Sequence, residues 1–255
     1  MSTLLEHLPA LLDDDPSVAA VLGRRTASLA VAEPARAMVL ASLVRRTGRT
    51  PLVVAVPTGT EAERLANDLR LFLGDLPSGR SAVELFPAWE TLPFERISPG
   101  VETMGRRLRA LHRLASIDDR PLVVVASGRA LVQRLGPGAG RIDPVRIGPG
   151  DTVDQQALVA DLVAVGYRRE YQVEHRGELS VRGSIIDVWP STDDAPVRID
   201  LWGDEVERLT EFGVADQRAT VSRAEVELHP CRELLPDDEV RARAAQLVAT
   251  EPWGR

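Results

Sequence analysis

The stretch Arg176-Gly-Glu-Leu-Ser-Val-Arg-Gly-Ser-Ile-Ile-Asp-Val-Trp-Pro190, followed by Val197-Arg-Ile-Asp-Leu-Trp-Gly-Asp-Glu-Val-Glu-Arg-Leu209, alternates with the period of a half-buried sheet. From Val197 the apolar residues Val197, Ile199 and Leu201 fall two apart and point one way. Arg198, Asp200 and Trp202 therefore point the other way. A wet sheet face has no need of tryptophan, and an aromatic beside arginine is the composition of a binding hot spot. The expectation is a docking surface. The plainer reading is a solvated face with incidental cation–π packing between Trp202 and Arg198 or Arg182.

Outward from this stretch the pattern divides in two. Upstream, strands at Leu52–Val56, about Ala82–Phe86 and Leu122–Ala126 alternate with helical patterns at about 35–46, 61–72 and 101–115. The run Leu122-Val-Val-Val-Ala126 has the continuous apolar character of a strand buried on both faces. Strands alternating with helices predict a parallel sheet wound with crossover helices. A further apolar stretch, Ser28-Leu-Ala-Val-Ala32, is read as a strand before the first of these helices. Gly136-Pro-Gly-Ala-Gly140 is a linker by composition. Beyond it, a helix at about 154–165 and successive strands to about Phe212 predict a small α+β domain with an antiparallel sheet. A helical pattern from Asp237 to Val248 follows, and the chain reads as a fragment of something longer.

Composition narrows the chemistry. The 255 residues carry a net charge of −7 and suffice for two compact units. No run is long and apolar enough to span a bilayer, so a soluble, cytoplasmic, monomeric protein is expected. Cys231 is alone and the histidines His7, His112, His175 and His229 are scattered, so neither disulfide nor metal site is expected. The 31 basic residues are all arginine, so no Schiff-base or phosphate-loop lysine exists in the chain.

No motif suggests catalysis. A phosphate-binding loop between the first strand and helix would need glycines and a lysine, whereas Ala30-Val-Ala-Glu-Pro-Ala-Arg36 has neither, and Glu33 would repel phosphate. Gly59 and Thr60 read as an ordinary turn. The carboxylates at 13–15, 118–119 and 193–194 lie in hydrophilic turns, and Ser127 and Ser184 lack a nucleophile's flanks. Arg106, Arg107, Arg109 and Arg113 could grip phosphate, though a solvated helix face is the plainer reading. Trp89 and Phe94, in a proline-rich loop, read as packing onto the sheet rather than stacking on bases.

The blocks Trp89-Glu-Thr-Leu-Pro-Phe-Glu-Arg-Ile-Ser-Pro99, Arg106–Leu114 and Arg176–Leu209 together resemble the N-terminal part of the bacterial transcription-repair coupling factor family, a module similar to the excision-repair helicase UvrB. The resemblance covers about Ser28 to Leu247. It implies a helicase-like α/β domain of degenerate P-loop type (domain 1A, 1–135), an inserted UvrA-binding domain 2 (141–228) and the start of domain 1B (229–255). It also implies UvrA-contacting residues at Arg182, Arg198 and Trp202, where the family commonly has phenylalanine at the last. RNA polymerase and DNA would be engaged by further domains absent here. The implied function is recruitment of UvrA without ATPase activity, cofactor or metal, and substitution of Arg198 or Trp202 should weaken docking while hardly changing stability. The alternatives are the ATP-binding half of a UvrB-type helicase and a DNA-binding module.

Overall fold

A computed structural model describes residues 4–250, apart from 93, 94, 96, 137, 138, 141, 236 and 237. It divides into two compact units, Met1–Trp89 with Ala110–Gln133, and Glu90–Arg109 with Arg134–Arg255.

The first unit opens with α1 (Leu4–His7), a 3-10 turn at Leu8–Leu12 and α2 (Pro16–Val21), whose N-terminus is capped by the Asp15 carboxylate. A second 3-10 turn, Glu33–Ala35, leads into α3 (Arg36–Thr47). Then follow β1 (Leu52–Val56), α4 (Gly59–Leu73), β2 (Val83–Phe86), α5 (Val101–Ala115), β3 (Val123–Ser127) and α6 (Gly128–Val132). By packing, α5 belongs to this unit only from Ala110 onward. The strands form a parallel sheet in the order β1–β3–β2. Central β3 is buried at every position because alternate residues feed two clusters. Val123 and Val125 meet Ala41, Ala66 and Leu69, while Val124 and Ala126 meet Phe86, Ala110 and Ala130. That explains the unbroken apolar run.

Ser28–Ala32, expected as a strand, has no strand structure and is mostly exposed. Without a ladder or burial its apolar residues cannot hold an extended pairing. The turn after β1 is a capping box: the Thr58 hydroxyl accepts from Glu61 N–H, and the Glu61 carboxylate accepts from Thr58 N–H. Gly59 and Thr60 thus begin an ordinary helix.

The second unit contains β4 (Val145–Ile147), α7 (Gln155–Ala164), β5 (Arg168–Arg169), β6 (Glu178–Arg182), β7 (Ile185–Val188), β8 (Val197–Trp202), β9 (Glu205–Phe212), β10 (Ala219–Ser222), β11 (Val226–Leu228) and α8 (Asp238–Thr250). Six strands pair in the order β10–β9–β8–β7–β6–β5, antiparallel except for the short parallel pairing of β5 with β6. A separate antiparallel pair joins β4 to β11. Leu158 and Leu162 of α7 pack with Leu179, Ile186, Ile199 and Leu209 in the core of this unit. The described residues are therefore mixed α/β, with one parallel and two largely antiparallel sheets among them. Of the presumed linker, Pro137 and Gly138 lie outside the described residues, as does Phe94 of the aromatic loop. Among the described residues no helix is long and apolar enough to cross a membrane.

Candidate partner-binding face

Strand β8 carries out the division of labour its alternation predicts. Val197, Ile199 and Leu201 are buried in the core, whereas Trp202 is 79% exposed. Two features aim the tryptophan outward. A bulge between Asp200 and Leu201 shifts the register with β9 and adds local twist. Immediately beyond, Trp202 pairs with Glu205 across the two-residue turn Gly203–Asp204, where Gly203 takes φ +62°, a conformation that glycine adopts without strain.

The two arginines are not placed alike. Asp187 on β7 stands opposite Ser180 on β6 and Arg198 on β8, and its side chain is 1% exposed. Its oxygens accept from Arg198 Nε at 2.7 Å and Nη2 at 2.9 Å, and from Arg182 Nη2 at 2.5 Å. One buried carboxylate thus holds two guanidinium groups. Hydrogen bonding to Asp187 is also the main reason that the Arg198 pKa lies above its ordinary value. Arg198 gives a further bond to the Gln217 carbonyl and lies over the Phe212 ring at 4.9 Å.

The arginine side chain expected to face solvent is therefore mostly withdrawn: Arg198 is 17% exposed, against 45% for Arg182. The physical reason is that β8 lies inside the sheet, where a long polar side chain can turn back onto a neighbouring strand's carboxylate. The cation–π partner of Arg198 is Phe212 rather than Trp202. Arg182 ends β6 at the turn whose Gly183 carbonyl accepts from the Gln155 side chain at the start of α7. That contact ties the turn to a helix already capped by Asp154.

Two members of the arginine cluster on α5, Arg107 and Arg113, are not on a solvated face. Arg107 is fully buried and paired with Glu233. Arg113 is also buried and binds Glu84 at 2.7 Å and Asp119 at 3.2 Å. Arg106 pairs with Glu102 four residues earlier. Cys231 is buried, and desolvation pushes its thiol up to about 12. Among the described residues no group of His, Cys, Asp or Glu could hold a metal. What sequence reasoning missed was Asp187, a carboxylate on the supposedly wet side of β7 that organises both arginines.

Residues 145–234, which contain this face, match the family described as the UvrB interaction domain. This segment is similar to that family. Beyond the matched segment, likeness to other proteins extends over most of the chain. It is 46% identical over 241 residues to the transcription-repair-coupling factor of Mycobacterium tuberculosis (strain CDC 1551 / Oshkosh), covering 90% of this chain. The proteins of the same name from Myxococcus xanthus and Bacillus subtilis (strain 168) are 37% and 30% identical over 87% and 84% of the chain. These alignments fall in the N-terminal region of the relatives, and the chain spans 18–19% of their length. The matched segment contains every residue of the Arg182–Asp187–Arg198 cluster and the exposed Trp202.

Proposed function

We propose that this chain is a recruitment module of transcription-coupled nucleotide excision repair, binding UvrA through the β6–β8 face of its UvrB interaction domain. The observation that carries the reading is an exposed tryptophan and a half-exposed arginine on one face of the sheet, within the segment that matches that family. Asp187 and Asp200 offset the charges of Arg182 and Arg198 on this face, so what it offers a partner's carboxylates or carbonyl oxygens is the outward N–H groups of half-exposed Arg182 rather than a net charge. Trp202 would fill a desolvated pocket, Arg182 would make the outward hydrogen bonds, and Arg198 would hold the strand's geometry.

The reading extends to a domain 1A over residues 1–135 with a degenerate nucleotide site, domain 2 over 141–228 and the start of domain 1B over 229–255. It includes no ATPase activity of this chain and a monomeric state. The lysine-free, glycine-free segment Ala30–Arg36 supports the absence of nucleotide chemistry.

The test is titration of UvrA with the wild-type chain and its Trp202→Ala and Arg182→Ala variants by calorimetry. Trp202→Ala should weaken binding by about 2 kcal/mol or more, roughly thirtyfold, as hot-spot truncations do. Arg182→Ala should cost less, because Asp187 already occupies one of its nitrogens. Unchanged affinity in both variants would refute the assignment of this face.

A further inference from the structure

Tyr171 is 89% exposed, more than Trp202, and no core cluster includes it. It follows edge strand β5, where Arg169 is in register with Leu179 and the Glu170 N–H continues the contact by donating to the Leu179 carbonyl. The carbonyl of Tyr171 itself accepts from Ser180 Oγ at 2.8 Å, and Ser180 is buried. Two consecutive residues are therefore fastened to β6, so the backbone that carries the ring is fixed while the ring stands in solvent.

The fastening point matters because Ser180 lies directly across from Asp187, and Asp187 across from Arg198. Tyr171 is thus tied to the row that organises both arginines. Two strand spacings of about 4.8 Å separate Ser180 from Arg198, and four residues at about 3.3 Å each separate Arg198 from Trp202. With the further spacing from β6 to β5, the two aromatic positions lie about 20 Å apart across one sheet. A standard protein interface, about 800 Å² on each partner, covers that span. Tyrosine and tryptophan are the residue types most enriched among binding anchors, since each offers a large rigid surface with few rotors to immobilise.

We infer that Tyr171 is a second aromatic anchor for the same partner, placed at the β5 edge of the sheet as Trp202 is placed at the β8–β9 hairpin. The inference rests on the reading that UvrA docks on this sheet, and it extends the footprint across β6 to the edge strand. The phenolic hydroxyl is not the essential part, because the ring supplies the contact area.

The experiment measures UvrA affinity for the wild-type chain and for Tyr171→Ala, Tyr171→Phe and Trp202→Ala, with urea unfolding of each variant in parallel. Tyr171→Ala should weaken binding at least tenfold with an unchanged unfolding midpoint, and Tyr171→Phe should stay within about threefold of wild type. Tyr171→Ala binding as wild type while Trp202→Ala binds weakly would overturn the second anchor and leave the docking face standing. Wild-type affinity in all variants, or no binding of UvrA by the unaltered chain, would overturn the docking reading and this inference together.

Discussion

Strand β8 offers a direct contrast between three kinds of side chain within five residues. Arg198→Ala removes two charge-assisted hydrogen bonds from Asp187, whose carboxylate is 1% exposed, together with the contact over Phe212. Removing one partner of a buried pair costs about 3–5 kcal/mol; because Arg182 remains bonded to the same carboxylate, the expected loss is about 2–4 kcal/mol. Ile199→Ala, on the core side, should cost about 2–5 kcal/mol through lost burial and a cavity. Trp202→Ala should stay within about 0.5 kcal/mol, since the ring is 79% exposed. Urea unfolding of the four proteins under one set of conditions reads these differences as midpoint shifts. A coupling measurement separates the partly unpaired carboxylate from other causes. Adding Asp187→Asn to Arg198→Ala should recover about 1 kcal/mol, because it removes the buried charge that Arg198 had neutralised. Strict additivity of the two substitutions, or a Trp202→Ala loss above about 2 kcal/mol, would show that the faces have been assigned wrongly.

Two further outcomes follow from the sequence and the core. Calorimetric titration with a non-hydrolysable ATP analogue should show no binding, because the segment before α3 has neither the glycines nor the lysine to hold phosphate, and micromolar affinity would contradict this. The Cys231 thiol, pushed up to about 12 by burial, leaves only about one molecule in ten thousand ionised at pH 8, so a thiol reagent should label the protein only in step with unfolding. Prompt labelling of the native protein would refute that environment.

Periodicity was a good guide wherever one residue's neighbours were set by its own element. The helix at Val101–Ala115 and the strand Val123–Ser127 are legible because their apolar spacing matches one face or one buried run. The alternation of β8 likewise revealed which residues enter the core. Long-range polar pairing was not legible. Arg107 meets Glu233 across 126 positions and Arg113 meets Glu84 across 29, and nothing local announces either partner. One signal was nevertheless available: Arg107 lies three residues after Met104 and four before Leu111, so helical spacing sets it on the apolar side. Ser28–Ala32 shows the converse error. Its composition suits a strand, yet a strand also needs a neighbour to pair with, and composition carries no information about that.

Asp187 changes what the arginines of this face can contribute. An arginine free in solvent offers all its donors to a partner, but it must first lose the freedom of a long side chain. Arg198 has already lost that freedom, and its Nε and one terminal nitrogen are occupied by Asp187. It can therefore add little new hydrogen bonding on docking, yet it fixes the stretch of β8 that leads to Trp202. Arg182, half exposed and held through a single nitrogen, keeps most of its donors and is already oriented. The face is thus built as a rigid support with its energetic content at the margins, an arginine at one turn and a tryptophan at the next hairpin. On that construction, substitutions at Arg198 should act mainly through folding, whereas those at Trp202 should act mainly through binding. A selection scoring only loss of partner binding would find both, and measuring stability alongside is what tells them apart.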